Sequence, residues 1–204
     1  MIRLALPTTD AEIAKLKVGD QVLLTGTMIT ARDAAHHYMM ENFVKRDPPA
    51  SELEMYNVLK KTLAGSVIYH CGPVVAKEGN KYRFVAAGPT TSIREEPYEH
   101  QVIAKFGVKG VIGKGGMGAK TLEACREFKA VYFHAIGGAA TLIAQTVKEV
   151  VEVYKLDLGV PEAMWLIRVE DFPVVVTMDS HGGSLHAEVE TASKAKLAEL
   201  MKAF

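Results

Sequence analysis

Gly110-Val111-Ile112-Gly113-Lys114-Gly115-Gly116-Met117-Gly118 is the stretch whose reading decides the fold. A short apolar run bounded by glycine reads as a buried strand. It empties into a glycine turn, residues 120–129 carry a helical pattern, and residues 130–134 form a second apolar strand. Strand, turn, helix, strand is the repeat of an α/β fold, here with a mixed sheet. The turn also carries chemistry. Glycine lets backbone N–H groups approach a ligand and permits φ > 0. Lys114 adds charge, and a helix N-terminus favours an anion through its free N–H groups and dipole. A phosphate loop needs G-x-x-x-x-G-K-[ST]. Here the lysine precedes the glycines and no Ser or Thr follows it, so nucleotide binding fits poorly. An ordinary strand-to-helix turn with an exposed lysine would read the same way.

A second turn lies upstream: Gly88-Pro89-Thr90-Thr91-Ser92-Ile93-Arg94. Pro89 fixes φ, the hydroxyls of Thr90 and Thr91 can bond local backbone, and Arg94 offers a planar fork suited to a carboxylate. A helix cap with an exposed arginine paired to Glu95 or Glu96 is the plainer reading. A third segment, Arg32-Asp33-Ala34-Ala35-His36, follows the strand expected over residues 20–28. Asp33 can cap a helix there and Arg32 can face a cleft at the strand end, or simply solvent. His36 and His37 read as helix-surface or partly buried residues. Gly137-Gly138 reads as a site of close helix packing. Asp179-Ser180-His181-Gly182-Gly183 reads mainly as a turn, because adjacent Ser and His rarely face each other and no nucleophile elbow is present.

Around these segments the pattern predicts short helices over 10–16 and 31–43, with Thr8 or Thr9 near the first N-cap. Asp47-Pro48-Pro49 ends the second. A helix over 51–63 begins with Ser51 and Glu54 as a capping box. Strands are expected over 66–70 and 82–86, with a hairpin-like turn at 77–80. Helices follow over 97–105 and 139–149, and strands over 163–169 and 173–178. A charged, alanine-rich helix closes the chain from Glu188 to Ala203, within a terminal segment 187–204. No repeat, linker or low-complexity tract divides the sequence, so a single domain over 1–204 is expected.

The chain has 204 residues with 24 basic and 24 acidic side chains. That balance gives no reason to expect nucleic acid or an anionic membrane as partner, so any basic site must be local. The longest apolar runs are far below membrane-spanning length. The first residues turn polar too soon for a secretory signal, which gives a cytoplasmic expectation. Two cysteines, Cys71 and Cys125, lack C-x-x-C spacing and cannot supply three thiolates to an iron–sulfur cluster. The seven histidines lack H-x-x-x-H spacing, so no metal site is expected within the chain.

Taken in order, L-T-G-T-M-I-T-A-R-D-A-A-H, Y-H-C-G-P-V-V, G-P-T-T-S-I-R, V-I-G-K-G-G-M-G, G-G-A-A, L-G-V-P-E-A-M-W-L and V-T-M-D-S-H-G resemble one family across residues 17–185. It is that of the β subunit of two-subunit class I fumarate hydratases and L-tartrate dehydratases, a unit that forms the C-terminal domain of one-chain class I fumarases. The resemblance implies a swivelling β/β/α domain that supplies half of an active site. It implies a partner α subunit carrying a [4Fe-4S] cluster on three cysteines, with one iron free to act as Lewis acid on the substrate hydroxyl. It implies an α2β2 assembly or a dimer through this subunit, and a C4 dicarboxylate as substrate, fumarate/malate first and L-tartrate as the alternative. A non-catalytic anion-binding or assembly subunit is the reading from another class. The family's substrate-binding arginine maps to Arg32, its Thr-x-x-x-Arg pair to Thr90 and Arg94, and its G-K lysine to Lys114. Thr91 and Gly115 complete the expected substrate contacts, with Thr90 and Lys114 as the catalytic pair. The sequence departs from the family at Arg94-Glu95-Glu96-Pro97, where methionine usually follows the arginine.

Overall fold

The computed structural model describes residues 1–202. In chain order the elements are β1 (Ile2–Leu6), α1 (Asp10–Ile13), β2 (Gln21–Thr30), α2 (Asp33–Met39), α3 (Leu53–Leu63), β3 (Val67–Tyr69), β4 (Val74–Glu78), β5 (Lys81–Ala86), α4 (Glu96–Phe106), β6 (Gly110–Gly113), α5 (Ala119–Phe128), β7 (Val131–His134), α6 (Ala140–Thr146), β8 (Val147–Tyr154), β9 (Met164–Met178) and α7 (Leu185–Met201). The main sheet runs β1-β2-β3-β6-β7-β9-β8, and β4 and β5 form a separate hairpin.

Strands β1, β2, β3, β6 and β7 are parallel neighbours. Strand β9 runs antiparallel to β7 and β8, and it also pairs with β2. The β2–β9 pairing joins the ends of the row β2-β3-β6-β7-β9 into a closed ring. The mixed α/β sheet is as expected from the sequence; its closure is not legible there.

Alternation along the strands divides the apolar residues into two cores. Val67, Tyr69, Ile112, Val131 and Phe133 point inward, with Trp165 and Phe172 of β9. Ile68, Val111 and Tyr132 point outward, under α2 to α5, with Phe43, Leu59, Val102 and Phe106. Phe133 and Phe172 are fully buried, and each such side chain contributes roughly 1.5–3 kcal/mol. Strand β6 is short because Gly110 and Gly113 bound it: a Cβ on Gly110 would press into the Phe133 ring.

Several expectations need correction. Residues 2–6 form an edge strand parallel to β2, which the sequence reading did not assign. The helix expected over 139–149 ends at Thr146, and Val147–Tyr154 is a strand on β9. The β-branched run Val147, Val150, Val151, Val153 explains the switch. The two strands expected over 163–178 are one, which passes Asp171 in a left-handed conformation. The Asp171 N–H there donates to Thr25 Oγ1 at 3.0 Å. The Ser51–Glu54 capping box does not form. Residues 50–52 make a 3₁₀ turn, and no side chain caps α3. The first arm of the hairpin is β4, not the strand at 66–70. The terminal helix is Leu185–Met201, and the expected end at residues 203–204 lies outside the described residues. No helix among the described residues is long and apolar enough to cross a membrane.

Candidate active site

The three sequence segments meet at the carboxyl ends of neighbouring parallel strands, the usual place for a ligand crevice in such sheets. Arg32 follows β2 as the N-cap of α2. The Thr90 turn packs on the chain leaving β3: Pro89 bridges Cys71, and the Thr90 N–H donates to the His70 carbonyl at 2.7 Å. Lys114 follows β6. Thr91 and Lys114 form a parallel bridge, in which the Lys114 N–H donates to the Thr90 carbonyl at 3.0 Å and the Ser92 N–H to the Lys114 carbonyl at 2.9 Å.

Glycine is needed at this junction. A Cβ on Gly113 would overlap Ser92 Oγ, and one on Gly115 would touch the Thr91 methyl at 3.5 Å. Gly115 and Gly116 both have φ near +80°, which suits glycine. A Cβ on Gly116 would lie 2.5 Å from the His186 ring. Glu96 then caps α5. Its carboxylate accepts from the N–H groups of Gly118, Lys120 and Thr121 at 2.8–3.3 Å and from the Thr121 hydroxyl at 2.6 Å. The expected pairing of Arg94 with Glu95 or Glu96 is therefore not the one found.

Arg94 Nη2 instead lies 3.2 Å from Asp33 Oδ1. Arg32 Nη2 lies 3.3 Å from Glu162 Oε1, and Glu162 Oε2 accepts the Ala34 N–H at 3.1 Å. Glu162 thus braces the guanidinium and also caps the start of α2, and only the cap was a role that the sequence reading gave to Asp33. The Arg32 guanidinium lies against Gly72, where any side chain would overlap it. Its Nε is buried without a partner, so the fork keeps donor capacity. Lys114 Nζ has no acidic partner among the described residues, and Gly137 leaves room beside its side chain, where a Cβ would come within 3.7 Å. Gly137-Gly138 precedes α6 and flanks Lys114; the glycine that packs on α6 is Gly88, close to Ala140.

Glu95 is buried, with no hydrogen-bond donor on either oxygen. Burial first, then contact with the Asp33 carboxylate, raises its pKa to about 8. Asp33 is lowered, first by the Glu95 hydrogen bond and then by Arg94 and Arg32 against the effect of burial. A carboxyl raised that far stays largely protonated at neutral pH, beside Asp33, which faces Arg94. The departure from the family at Glu95-Glu96 thus gives one acid that backs the arginine and one that caps the glycine turn's helix.

Beneath the rim lies a buried chain that the sequence reading missed. His36 Nδ1 donates to the Arg32 carbonyl at 2.9 Å, and His36 Nε2 lies 2.8 Å from Glu99 Oε2. The same oxygen accepts from His70 Nε2 at 3.0 Å. His70 Nδ1 meets Ser92 Oγ at 2.9 Å, and the Tyr132 hydroxyl donates to Ser92 Oγ at 2.9 Å. His36, His70, Ser92 and Glu99 are fully buried. Burial would raise Glu99, but the His36 charge and the bonds from both histidines hold it at about 2. His36 is raised, since Glu99 outweighs its burial, while burial lowers His70. His36 Nδ1 faces a carbonyl and Nε2 a carboxylate, neither of which can donate, so both nitrogens carry protons when Glu99 is ionised; His70 faces the same carboxylate and the Ser92 hydroxyl, an arrangement that needs only one. The three groups are also close enough for one ion to bridge, although the 2.8 and 3.0 Å nitrogen–oxygen contacts are those of a direct ion pair. A signal existed in the sequence: Glu95 and Glu99 continue the apolar stripe Val102, Ile103, Phe106 of α4, where a solvated acid does not belong.

The expected site residues Arg32, Thr90, Thr91, Arg94, Lys114 and Gly115 therefore share one rim. Asp179-Ser180-His181 does not join it. Asp179 takes the N–H groups of Val18, His181 and Gly183, and His181 Nε2 bonds the Ala14 carbonyl, at the start of β2. Cys71 lies in the inner core and Cys125 in the outer one. Burial raises both thiols, Cys71 to about 12. Neither is placed to ligate a cluster, and these two residues do not fit one.

Comparison with known proteins places the chain in a family. The family model of the fumarase C-terminus matches residues 1–189. The chain is 48% identical over 200 residues to a putative fumarate hydratase class I of Geobacillus stearothermophilus, an overlap of 98% of this chain and 36% of that protein. It is 41% identical over 186 residues to the L(+)-tartrate dehydratase subunit beta of Escherichia coli (strain K12), covering 91% of this chain and 86% of that one. A putative L(+)-tartrate dehydratase subunit beta of Methanocaldococcus jannaschii is 40% identical over 195 residues, 95% of each chain. The chain thus spans little more than a third of the first relative and most of the other two.

Proposed function

This chain belongs to the fumarase C-terminus family, and we propose that it is the β subunit of a hydro-lyase acting reversibly on a C4 dicarboxylate, with fumarate and (S)-malate as the pair. The observation that carries the reading is the rim itself: Arg32, Arg94 and Lys114 stand at adjacent strand ends around a Thr90 turn bonded to the lysine's backbone. A C4 dicarboxylate carries two negative charges about one residue apart. Arg32, Arg94 and Lys114 offer donors to both carboxylates, and holding both fixes the carbon that loses a proton against the carbon that loses hydroxide. Removing the proton beside a carboxylate moves charge onto that carboxylate, where Lys114 and the arginine forks stabilise it. Thr90 is the proton-transfer residue of this reading. Its hydroxyl is a poor base unless neighbouring cations depress its pKa.

L-tartrate needs the same cations, and two of the three relatives above are tartrate dehydratase β subunits in name. It is the second substrate to test. The [4Fe-4S] cluster belongs, in this reading, to a partner α subunit, because Cys71 and Cys125 are buried in separate cores. Two free buried thiols also suit a reducing cytoplasm.

Co-expression with the partner chain, anaerobic cluster reconstitution and hydration or dehydration assays on fumarate, malate and L-tartrate test the proposal. The chain alone is expected to be folded, colourless and inactive, and the complex active on at least one substrate. Stoichiometric iron and sulfide on this chain alone would sink the divided site. A reconstituted complex inert toward every C4 dicarboxylate would favour an anion-binding or assembly subunit.

A further inference from the structure

We propose that Glu99, with His36 and His70, is the positioning unit of the rim: a buried ion pair that holds the Arg32 and Thr90 segments in one register. The inference rests on the rim being the dicarboxylate site. None of the three residues is exposed, so none touches substrate.

The bonds lead outward to each functional segment. His36 Nδ1 donates to the Arg32 carbonyl, the last backbone group before α2. The His70 carbonyl accepts the Thr90 N–H. His70 Nδ1 meets Ser92 Oγ, and the Ser92 N–H holds the Lys114 carbonyl. One carboxylate oxygen, Glu99 Oε2, contacts both histidines. The rim segments come from β2, β3, β6 and the turn after β5, and the Glu99 junction lies behind all of them. Glu99 Oε1 is buried without a partner, so Oε2 and its two histidine contacts carry the carboxylate's compensation, and losing either contact costs several kcal/mol of unreplaced solvation. Packing the site with apolar residues would avoid that cost, yet would give the arginine and threonine segments no directional tie to each other.

The other charged groups facing the unit fit this role. Glu95, the residue just before α4, and Asp33, at the start of α2, both lie near the histidines. Burial raises Glu95, which leaves the Asp33 charge there, and Arg94 pairs with it. His36 is thus the buried cation answering Glu99, and Arg94 the rim cation answering Asp33.

The test compares the wild-type complex with Glu99→Gln, Glu99→Asp, His36→Gln and His70→Gln. Glutamine keeps the reach of an imidazole Nε2 toward Glu99 but loses the Nδ1 bond. His36→Gln should therefore raise KM about ten-fold by freeing Arg32, with kcat little changed. His70→Gln should lower kcat about ten-fold by freeing the Ser92–Thr90 turn. Glu99→Gln should do both, for a ten- to hundred-fold loss in kcat/KM, and Glu99→Asp should restore part of it. Two readouts on the full chain need no activity. Nitrogen-15 histidine spectra at pH 7 should show His36 doubly protonated and His70 neutral with its proton on Nε2. Amide exchange in Glu99→Gln should quicken selectively at Thr90, Ser92 and Lys114. A neutral His36 in the wild type, unchanged kinetics in Glu99→Gln, or protection lost uniformly with Tm would overturn the proposal. If the wild-type complex turns over no dicarboxylate, the functional reading fails, while the spectra and exchange still decide whether the unit positions the rim. If Glu99→Gln does not fold, the wild-type spectra and the two histidine variants decide it.

Discussion

The Lys114 N–H donates to the Thr90 carbonyl at 3.0 Å, so the two turns that carry the lysine and the threonine are one continuous backbone surface. A side chain added to either turn therefore acts on both.

Gly116 and Gly138 separate backbone strain from crowding. Both have positive φ, near +80° and +85°, so alanine at either costs about 1–2 kcal/mol through backbone conformation alone. Beside Gly138 there is open space, whereas a Cβ on Gly116 meets the His186 ring. Gly116→Ala should lower Tm more than Gly138→Ala and also reduce kcat/KM of the assembled enzyme. Calorimetry of the two variants checks this; equal Tm losses would mean that His186 does not rest on the turn.

Glu95 gives a pH dependence with a definite sign. Its folded pKa, about 8, lies above the ordinary glutamate value of 4.5. Between those values the folded chain holds a proton that the unfolded chain has released, so this group's contribution to stability falls as pH rises from 4.5 to 8. Glu95→Gln mimics the protonated form. It should match the wild type near pH 5 and exceed it at pH 8 by an amount on the order of 1–5 kcal/mol. Denaturant melts at the two pH values measure the difference. A variant equally stable relative to wild type at both would show that Glu95 is ionised in the fold.

The other acid of the pair, Glu96, should behave as a cap. It satisfies three N–H groups and one hydroxyl at the start of α5. Glu96→Ala should cost about 1–3 kcal/mol. Amide exchange should quicken at Gly118 and Lys120 while the Thr90 turn keeps its protection. Loss of protection along the whole chain would instead mark Glu96 as part of the core.

The elements that place the rim were legible from local signals. Gly113 to Gly118 announced a strand-to-helix turn, and Gly88-Pro89 announced a second. The rim residues Arg32, Thr90, Arg94 and Lys114 were reached through a family resemblance as well as through residue type. Ring closure was not legible, because Leu23 and Pro173 pair across 150 residues and no local pattern encodes such a register. Strand β8 hid inside a helical reading because the apolar residues Val147, Val150, Val151 and Tyr154 fall at helical spacing beside a genuine helix. The Glu99 junction escaped because His36, His70 and Glu99 come from three separate elements. Only the acid on an apolar stripe of α4 hinted at it. Glu162 was likewise invisible as the brace of Arg32, since the pairing spans the fold.

The central claim is that Lys114 and Arg94 are ligand-facing cations and not framework residues. Lys114→Met and Arg94→Met, each assembled with the cluster-bearing partner, test it most directly. Each removes a charge-assisted bond worth roughly 1.5–3 kcal/mol. The result expected is an unchanged Tm, normal assembly and a loss of at least about ten- to hundred-fold in kcat/KM on the preferred dicarboxylate. Wild-type activity on fumarate, malate and L-tartrate in either variant, or failure of either variant to fold and assemble, would contradict the account.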